Sequence, residues 1–544
     1  VLEDDLERIK AFYEDQGFID VVVDKEVKII ENRKYAEVII YIQENKRYLT
    51  GQVTVKGNKI FTTSALREKI KLQSGNIFSP SAVSDDAANI QTFYFDKGYI
   101  FCNVDSDTAL NAQTGKVDVN YIVREGQVAY VENVNIEGNT KTKDVVIRRE
   151  LRLSPEDRFD GQKLRRSKER LYNLGYFEDV SFDTAPGSIP SKRNLIVSVK
   201  EAKTGEFSFG GGYSTVDRLV GFVEVQQKNF DLFNFPNFTG AGQRIGLRAQ
   251  FGSVRRDFDL MFMEPWIFGK PLSFGVDAFH RTRERSNESG WAYNEENTGF
   301  DLSLGKQLGE FLTGTAVYRL EDTKISDLVG DASGLLQKEA GKSLLSSMKG
   351  ILTRDSRDSA FTPTKGNITS AWLEVAGGPF FGDENFARLY GDSDWYFPLF
   401  RRFVLELRLR AGIMDPFGDS DDVPIYERFY VGGAETVRGY KERTIGPRDT
   451  GSNEPIGGRS MLIFNAEHVI LITDFLKGAI FYDAGNVWEE IGDFASDTLR
   501  QGVGLGIRVK TPVGPVKLDY GYPLNPQKGD KKTGRFHFNI TRGF

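Results

Sequence analysis

The sequence lacks several features that identify common classes of protein. Cysteine occurs once in 544 residues, at Cys102, which excludes an internal disulfide, a thiolate metal cluster and a CxxC redox pair. We therefore expect a buried, inert thiol. No run of 18 apolar residues occurs, which excludes a membrane-spanning helix. The 71 basic and 77 acidic residues are well mixed and give a net charge of −6, so nucleic acid is not expected as a partner.

Catalytic motifs are also missing. The three histidines, His280, His468 and His537, lie far apart and lack HExxH spacing, and no GxSxG elbow or Walker loop occurs. The glycines at 210–212 belong to a strand pattern and precede no GK[ST], so they do not form a phosphate loop. We therefore expect a protein that is not an enzyme, with no cofactor and no metal site.

The amino-terminal 200 residues contain a repeat. Three similar segments align on their glycines, Gly17, Gly98 and Gly175, and the turns Gly57-Asn58 and Gly138-Asn139 recur in phase with them. This spacing predicts two complete units at 48–127 and 128–203. A third unit at 1–47 is expected to be truncated, without its leading strand and helix.

Within each unit the apolar period changes from two to 3.6 and back, which predicts the order βααββ. The first helix is expected near Ser64 to Lys71. Ser79-Pro80 supplies an N-cap and a first-turn proline for the second helix, which Gly98 should end. Strands should follow around Tyr99 to Asp107 and Lys116 to Arg124. The units therefore predict packed α+β repeats.

From residue 204 to 544 the pattern becomes entirely β. Helical periodicity disappears, glycine and phenylalanine increase, and sixteen short alternating segments follow one another. Connections after even segments are mostly short, such as WIFGKP, PLFRR and TPVGP, whereas several after odd segments are long and polar. The pattern predicts an antiparallel sixteen-stranded transmembrane β-barrel, with short periplasmic turns and long outer loops.

Several motifs resemble one known superfamily. The βααββ units look like POTRA domains, and the barrel is similar to that of BamA-like assembly factors. The most specific match is VRGY, which lies in the 49-residue connection from Gly412 to Ser460 between predicted strands eleven and twelve. The resemblance implies that this loop folds into the lumen and that its arginine bonds acidic groups on the wall. Its residues are Val437, Arg438, Gly439 and Tyr440, and the implied wall partners are Glu467 and Asp483.

Shorter phrases support the resemblance, namely MEPWIFGKP, RDSRDSAFTPTKG and TPVGPVKLDYGYP in this order. The last segment alternates apolar residues up to the terminus, similar to the signal that barrel proteins present to the assembly machinery. A lipid-facing last strand alone would explain the same pattern. Its residues are Phe536, Phe538, Ile540 and Phe544.

A seam between the first and last strands follows from barrel closure. Strand one contains three glycines. Glycine weakens a strand because it loses more backbone entropy on folding than other residues and has no side chain to pack. We hypothesise that this seam opens and templates client strands. The alternative is that the glycines only relieve crowding or permit kinking in a closed barrel. The seam residues of strand one are Phe207, Phe209, Gly210, Gly211, Gly212 and Tyr213.

The resemblance implies an outer-membrane protein, with periplasmic repeats, that inserts unfolded barrel clients into the membrane. Expected partners are those clients, accessory lipoproteins at the repeats, and outer-membrane lipid. Two alternatives stay open at this point. One is a TamA-like factor or a two-partner secretion transporter, and the other is a passive diffusion pore.

Overall fold

The structure is a computed structural model that describes residues 2–29, 36–111, 113–214, 217–285, 293–328, 330, 334–359, 363–400, 402–473, 475–511, 514–527 and 532–540. The chain divides into two compact units, Val1–Ala202 and Lys203–Phe544. Of the helices within the described ranges, none has the length and apolarity needed to cross a membrane.

The first unit contains the predicted repeats. Both complete repeats have the order βααββ, as predicted, and in each the last strand pairs in parallel with the first strand and antiparallel with the other. The elements are α1 (Leu2–Asp15), β1 (Val22–Ile29) and β2 (Ala36–Gln43); β3 (Leu49–Lys56), α2 (Thr63–Arg67), α3 (Pro80–Asp96), β4 (Asn103–Asn111) and β5 (Lys116–Arg124); β6 (Tyr130–Glu137), α4 (Asp144–Arg148), α5 (Gly161–Asn173), β7 (Phe177–Pro186) and β8 (Lys192–Glu201).

Capping defines the longer helix of the first complete repeat. The Ser79 hydroxyl accepts a hydrogen bond from the Ala82 N–H at 3.1 Å, and Pro80 occupies the first helical position. Gly98, at a φ of +86°, takes the left-handed conformation just after the helix. The next strand begins at Asn103 rather than at Tyr99, because Tyr99 bonds back to the Tyr94 carbonyl and stays in a turn.

The shorter helix ends at Arg67, so its predicted extension to Lys71 is wrong. The buried Asp86 carboxylate explains the difference, since it accepts hydrogen bonds from the N–H groups of Lys71 at 2.8 Å and Leu72 at 2.9 Å. The N–H groups of Lys71 and Leu72 therefore bond a side chain of α3 and do not continue the hydrogen-bond pattern of α2.

Each complete repeat has its own apolar core between its helices and its sheet. Cys102 belongs to the core of the first and is 3% exposed, as predicted. Burial raises the pKa of its thiol to about 11, so the group is protonated at neutral pH.

A glutamate at the end of each repeat holds the Gly-Asn turn. Glu125 accepts from the N–H groups of Lys59 and Ile60, both at 2.8 Å, and from the Tyr94 hydroxyl at 2.7 Å. Glu201 accepts in the same way from the Thr142 N–H at 2.6 Å. Burial alone would raise the pKa of each carboxyl, but these hydrogen bonds lower it on balance.

We expect Glu125→Gln and Glu201→Gln to loosen these turns at neutral pH. A lowered pKa means that the ionised carboxylate stabilises the fold, so its contribution is present above the ordinary glutamate pKa of about 4.3 and is lost as the pH falls through the lowered pKa. Each variant should cost about 1–3 kcal/mol at neutral pH, because hydrogen bonds to a charged group are lost. Amide hydrogen exchange of the full chain at the two turns measures this. A difference from wild type that persists at low pH would contradict the assignment.

The second unit is a closed antiparallel barrel of sixteen strands, which confirms the predicted number. The strands are β9 (Gly205–Ser214), β10 (Arg218–Phe230), β11 (Gln243–Gly252), β12 (Arg255–Glu264), β13 (Ser273–Arg283), β14 (Asn294–Gln307), β15 (Leu312–Ser326), β16 (Gly341–Asp355), β17 (Gly366–Ala376), β18 (Phe386–Phe400), β19 (Phe403–Pro416), β20 (Ser460–Leu471), β21 (Leu476–Trp488), β22 (Arg500–Thr511), β23 (Gly514–Pro523) and β24 (Arg535–Ile540). Helix α6 (Gly334–Lys338) lies between β15 and β16.

The connection that carries VRGY is shorter than predicted. Strand β19 continues past Gly412 to Pro416, because residues up to Pro416 pair with β18, and the loop therefore covers 417–459. A short 3-10 turn, Ile425–Glu427, lies within it. We call this segment the lumen loop.

The seam between β9 and β24 is much more weakly paired than its neighbours. Within the described residues it has one register pair, Ser214 with Asn539, whereas β9 pairs with β10 at ten positions. The terminal Phe544 lies outside the described residues. The described part of the barrel therefore closes through a minimal contact.

Candidate functional site

The lumen loop packs against the inner wall of the barrel through an apolar core. Val437 and Tyr440 are buried, and so are the wall residues that they join. The loop contributes Val423, Phe429, Val431, Val437, Tyr440 and Ile445, and the strands contribute Leu345, Ala376, Phe386, Met414, Met461, Ile463 and Val487. This core fixes the loop inside the barrel.

Arg438 is the centre of a buried ionic network. Its Nε and Nη2 donate to the two carboxylate oxygens of Asp483 at 2.8 and 2.9 Å, and its Nη1 donates to Glu467 at 2.7 Å. Its backbone N–H also donates to Asp483, at 3.0 Å. The guanidinium carbon lies 3.4 Å from the centre of the Phe481 ring. The structure thus brings together Arg438 and both acidic residues named from the sequence.

Three further members of this network lie on the last three strands. Arg438 Nη1 donates to Asp519 of β23 at 3.3 Å, and Arg508 of β22 bonds both Asp519 and Glu467. The Gly439 N–H donates to Nε2 of the buried His537 of β24 at 3.1 Å. Sequence reasoning missed these residues. The signal available was that each occupies an inward position of an alternating strand.

Glycines on the wall form a notch for the VRGY backbone. A Cβ at Gly521 would lie 2.7 Å from the Arg438 carbonyl carbon, and one at Gly502 would overlap the Arg438 carbonyl oxygen. At Gly485 a Cβ would lie 3.1 Å from the Val437 side chain. Gly439 itself has a φ of +96°, which favours glycine at this point of closest approach. The motif therefore needs small residues on both surfaces.

We predict that Gly521→Val displaces the lumen loop without removing any charge. Overpacking costs about 1–3 kcal/mol, so opening of the loop should increase by a factor between roughly five and a hundred. Limited trypsin digestion measures this through cleavage after Arg438. Gly391→Val on β18 is the matched control, because a Cβ there meets no atom within 4 Å. Equal cleavage of the two variants would refute the notch.

A second ionic cluster holds the start of the lumen loop. Arg388 of β18 donates to Glu374 of β17 at 2.6 Å and to the Glu427 carboxylate at 2.9 Å. Its Nη1 also donates to the Glu427 carbonyl at 2.9 Å. Glu374 is fully buried and accepts from the Ser347 hydroxyl at 2.9 Å. The loop thus crosses the interior between two anchors, one on β17 and β18 and the other on β20 to β24.

Some of the predicted seam residues are exposed on the outer surface of the barrel, and one of them contacts the opposite strand across the seam. Phe207, Phe209 and Phe536 are exposed on the barrel surface, as in a lipid-facing strand, and Tyr213 lies with its ring centre 6.2 Å from that of Phe538 across the seam. A Cβ at Gly210 would lie 2.8 Å from the Phe222 ring. Gly210 therefore also relieves crowding, as the alternative proposed. The remaining strand positions, Gly211, Gly212 and Ile540, belong to β9 and β24.

The fold and the site define a class of protein: an outer-membrane barrel with periplasmic repeats and an inward-folded loop. The family model of the Omp85 superfamily domain matches residues 237–544, and that of POTRA, described as a surface antigen variable number repeat, matches 48–126 and 129–202. This chain belongs to the Omp85 superfamily.

Its relatives include proteins named outer membrane protein assembly factor BamA. That of Nitratidesulfovibrio vulgaris is 32% identical over 552 residues, covering 100% of this chain and 68% of that protein. The BamA of Neisseria meningitidis is 27% identical over 597 residues, covering 99% of this chain and 72% of that protein. The crystal structure of BamA from Haemophilus ducreyi lacking POTRA domains 1-3 has a TM-score of 0.73 at 21% identity, covering 90% of this chain and 99% of that one.

Proposed function

We propose that this protein folds client β-barrel proteins and inserts them into the outer membrane. The observation that carries the proposal is the seam, where, among the residues that the structure describes, one register pair joins β9 to β24 while ten join β9 to β10. The relatives named assembly factors, similar over nearly the whole chain, support the same activity.

The mechanism follows from the hydrogen bonds of an open edge. Separation of β9 from β24 uncovers backbone donors and acceptors, each of which costs several kcal/mol if left unpaired in lipid. An incoming client strand satisfies them by β-augmentation on β9. The client then grows strand by strand without a bare edge. No covalent chemistry is involved.

The lumen loop keeps the other side of the seam in place. Arg438 joins β20, β21 and β23 through their carboxylates, and Gly439 bonds His537 on β24. When β9 separates, β24 therefore stays attached to a braced wall. The role of Arg438 and its partners is to position the last strand of the seam.

Client contacts in the periplasm use the sheet edges of the repeats. Strand β4 is exposed on both faces from residue 106 to 111, and β5 is its neighbour in the sheet. Such an edge offers backbone hydrogen bonds to an extended segment. Accessory lipoproteins dock on the same repeats, and outer-membrane lipid surrounds the barrel.

We expect a photo-crosslinker at Thr108, on the β4 edge, to capture unfolded clients. The same crosslinker at Gln91, exposed on α3, is the matched control because a helix face offers no free backbone groups. Cross-linked client bands on denaturing gels are the readout. Equal capture at the two positions would argue against edge recognition.

The two alternative functions receive less support. A diffusion pore needs an open lumen, whereas the lumen loop fills part of this one with a buried core. A TamA-like factor or a secretion transporter shares the superfamily, but the relatives that are 32% and 27% identical over nearly the whole chain are named BamA.

A reconstituted assay tests the proposed function. The purified chain in liposomes should accelerate folding of an unrelated, urea-denatured barrel protein, as read from its resistance to protease. The same liposomes with the heat-denatured chain are the control. Equal folding rates in the two samples would overturn the proposal.

A further inference from the structure

The connection between β10 and β11, residues 231–242, exposes an unusual amount of apolar surface. Phe233 is 86% exposed and Phe235 is 80% exposed, more than the lipid-facing Phe209 at 73%. Leu232 and Phe238 are exposed beside them. We call this segment the phenylalanine loop. Such a patch on a folded protein indicates an interaction surface.

Hydrogen bonds within the loop and to the two flanking strands hold these side chains outward. The Asp231 N–H donates to the Phe238 carbonyl at 3.0 Å, and the Gly240 N–H donates to the Asn229 carbonyl at 2.9 Å. The Leu232 N–H donates to the Gln243 side chain at 2.9 Å. The exposed rings therefore belong to an ordered turn.

The loop continues the apolar outer face of the barrel. On β12, the outward side chains Phe258 and Leu260 are exposed, and Phe262 follows on the same face. From Phe262 the ring contacts run to Phe230 at 6.4 Å, from Phe230 to Phe238 at 5.8 Å, and from Phe238 to Phe235 at 5.6 Å. An unbroken row of rings thus extends past the ends of the strands.

The lack of exposed charged side chains in the loop also suits an apolar medium. Residues 232–242 include no acidic or basic residue, and Asp231 is buried. Asn234 donates its amide to the Thr239 carbonyl at 2.8 Å, so this polar group is satisfied inside the loop. A phosphate-binding surface would need cations, whereas aromatic residues without charge are typical of the membrane–water interface.

The position of the loop identifies the leaflet. Gly205, at the start of β9, pairs with Gln227 near the end of β10, and the Lys228 N–H donates to the Thr204 carbonyl at 3.0 Å. The loop therefore lies at the end of the barrel where the chain enters, which is the periplasmic end, and it follows the strand that neighbours the seam strand.

We infer that the phenylalanine loop inserts into the lipid of the periplasmic leaflet beside the seam. Phe233 and Phe235 enter the boundary between headgroups and acyl chains and displace lipid there. This surface anchors the barrel at the point where clients enter. The inference rests on the outer-membrane location of the proposed function and is independent of assembly activity.

Nitroxide labels test the insertion in the full chain. In a Cys102→Ala background, Phe233→Cys and Phe235→Cys are labelled, and the protein is reconstituted in liposomes of phosphatidylethanolamine and phosphatidylglycerol. Collisions with oxygen report lipid, and collisions with a neutral nickel chelate report water. Phe209→Cys supplies the lipid reference, and Gln91→Cys supplies the aqueous one.

The expected oxygen-to-nickel collision ratio at both loop positions is close to that of Phe209→Cys and several-fold above that of Gln91→Cys. A ratio at the aqueous level would overturn the inference. A ratio that rises only after an unfolded barrel client is added would also overturn it and assign the loop to client binding. Because the label reports depth without any insertion of clients, failure here is distinguishable from failure of the proposed function.

Discussion

Arg438→Ala should abolish assembly of client barrels and weaken the barrel itself. The substitution leaves Asp483, which is fully buried, without the guanidinium that donates two hydrogen bonds to it, at 2.8 and 2.9 Å. Breaking a buried ion pair by removing one partner costs about 3–5 kcal/mol. The expected results are failure to complement depletion of the wild-type protein and a barrel that unfolds at lower temperature on semi-native gels.

Two comparisons separate the network from general loop damage. Arg438→Lys should rescue little, because an ammonium cannot reproduce the forked contact with Asp483 together with the bond to Glu467. Asp421→Ala, a change at an exposed position of the same loop, should behave as wild type. Full complementation by Arg438→Ala would show that client assembly does not need the ionic network.

A disulfide across the seam should stop client insertion. Ser214 and Asn539 are register partners, and directly paired Cα atoms lie about 4.5–5.5 Å apart, within the span of about 4.4–6.8 Å that a disulfide needs. In a Cys102→Ala background, the oxidised pair Ser214→Cys and Asn539→Cys holds β9 on β24. Insertion should fall to the level of empty liposomes and return when the disulfide is reduced.

The control for this lock joins two strands that are not expected to separate. Ser303 and Val317 pair between β14 and β15, so a disulfide between cysteines at these positions constrains the barrel without touching either seam strand. This protein should keep its activity when oxidised. Unchanged insertion by the oxidised seam pair would refute the seam mechanism. Equal loss of insertion in both proteins would indicate a general effect of cross-linking.

Local periodicity was sufficient to predict the architecture of this chain. Alternation over about ten residues defined each barrel strand, and the repeated glycines defined the units of the amino-terminal region, because both signals depend on neighbours in sequence. Boundaries were less predictable. The early end of α2 depends on Asp86, a side chain contributed by another helix.

The ionic partners of the lumen loop show a different limit. Glu467 and Asp483 could be named only through the resemblance of VRGY to a known motif. Asp519, Arg508 and His537 meet Arg438 and Gly439 because the loop folds across the interior, and no local pattern records its path. The same holds for Arg388 and Glu427, which are separated by 39 residues in sequence.

Conditional depletion of this protein in its host, with quantification of the folded outer-membrane barrels by mass spectrometry, tests whether it is the general insertase of the outer membrane. We predict a broad loss of unrelated barrel proteins, which wild-type protein restores and Arg438→Ala does not. Loss of one secreted protein or a small subset, with the bulk of the barrels unchanged, would contradict it and favour a dedicated transporter or a TamA-like factor.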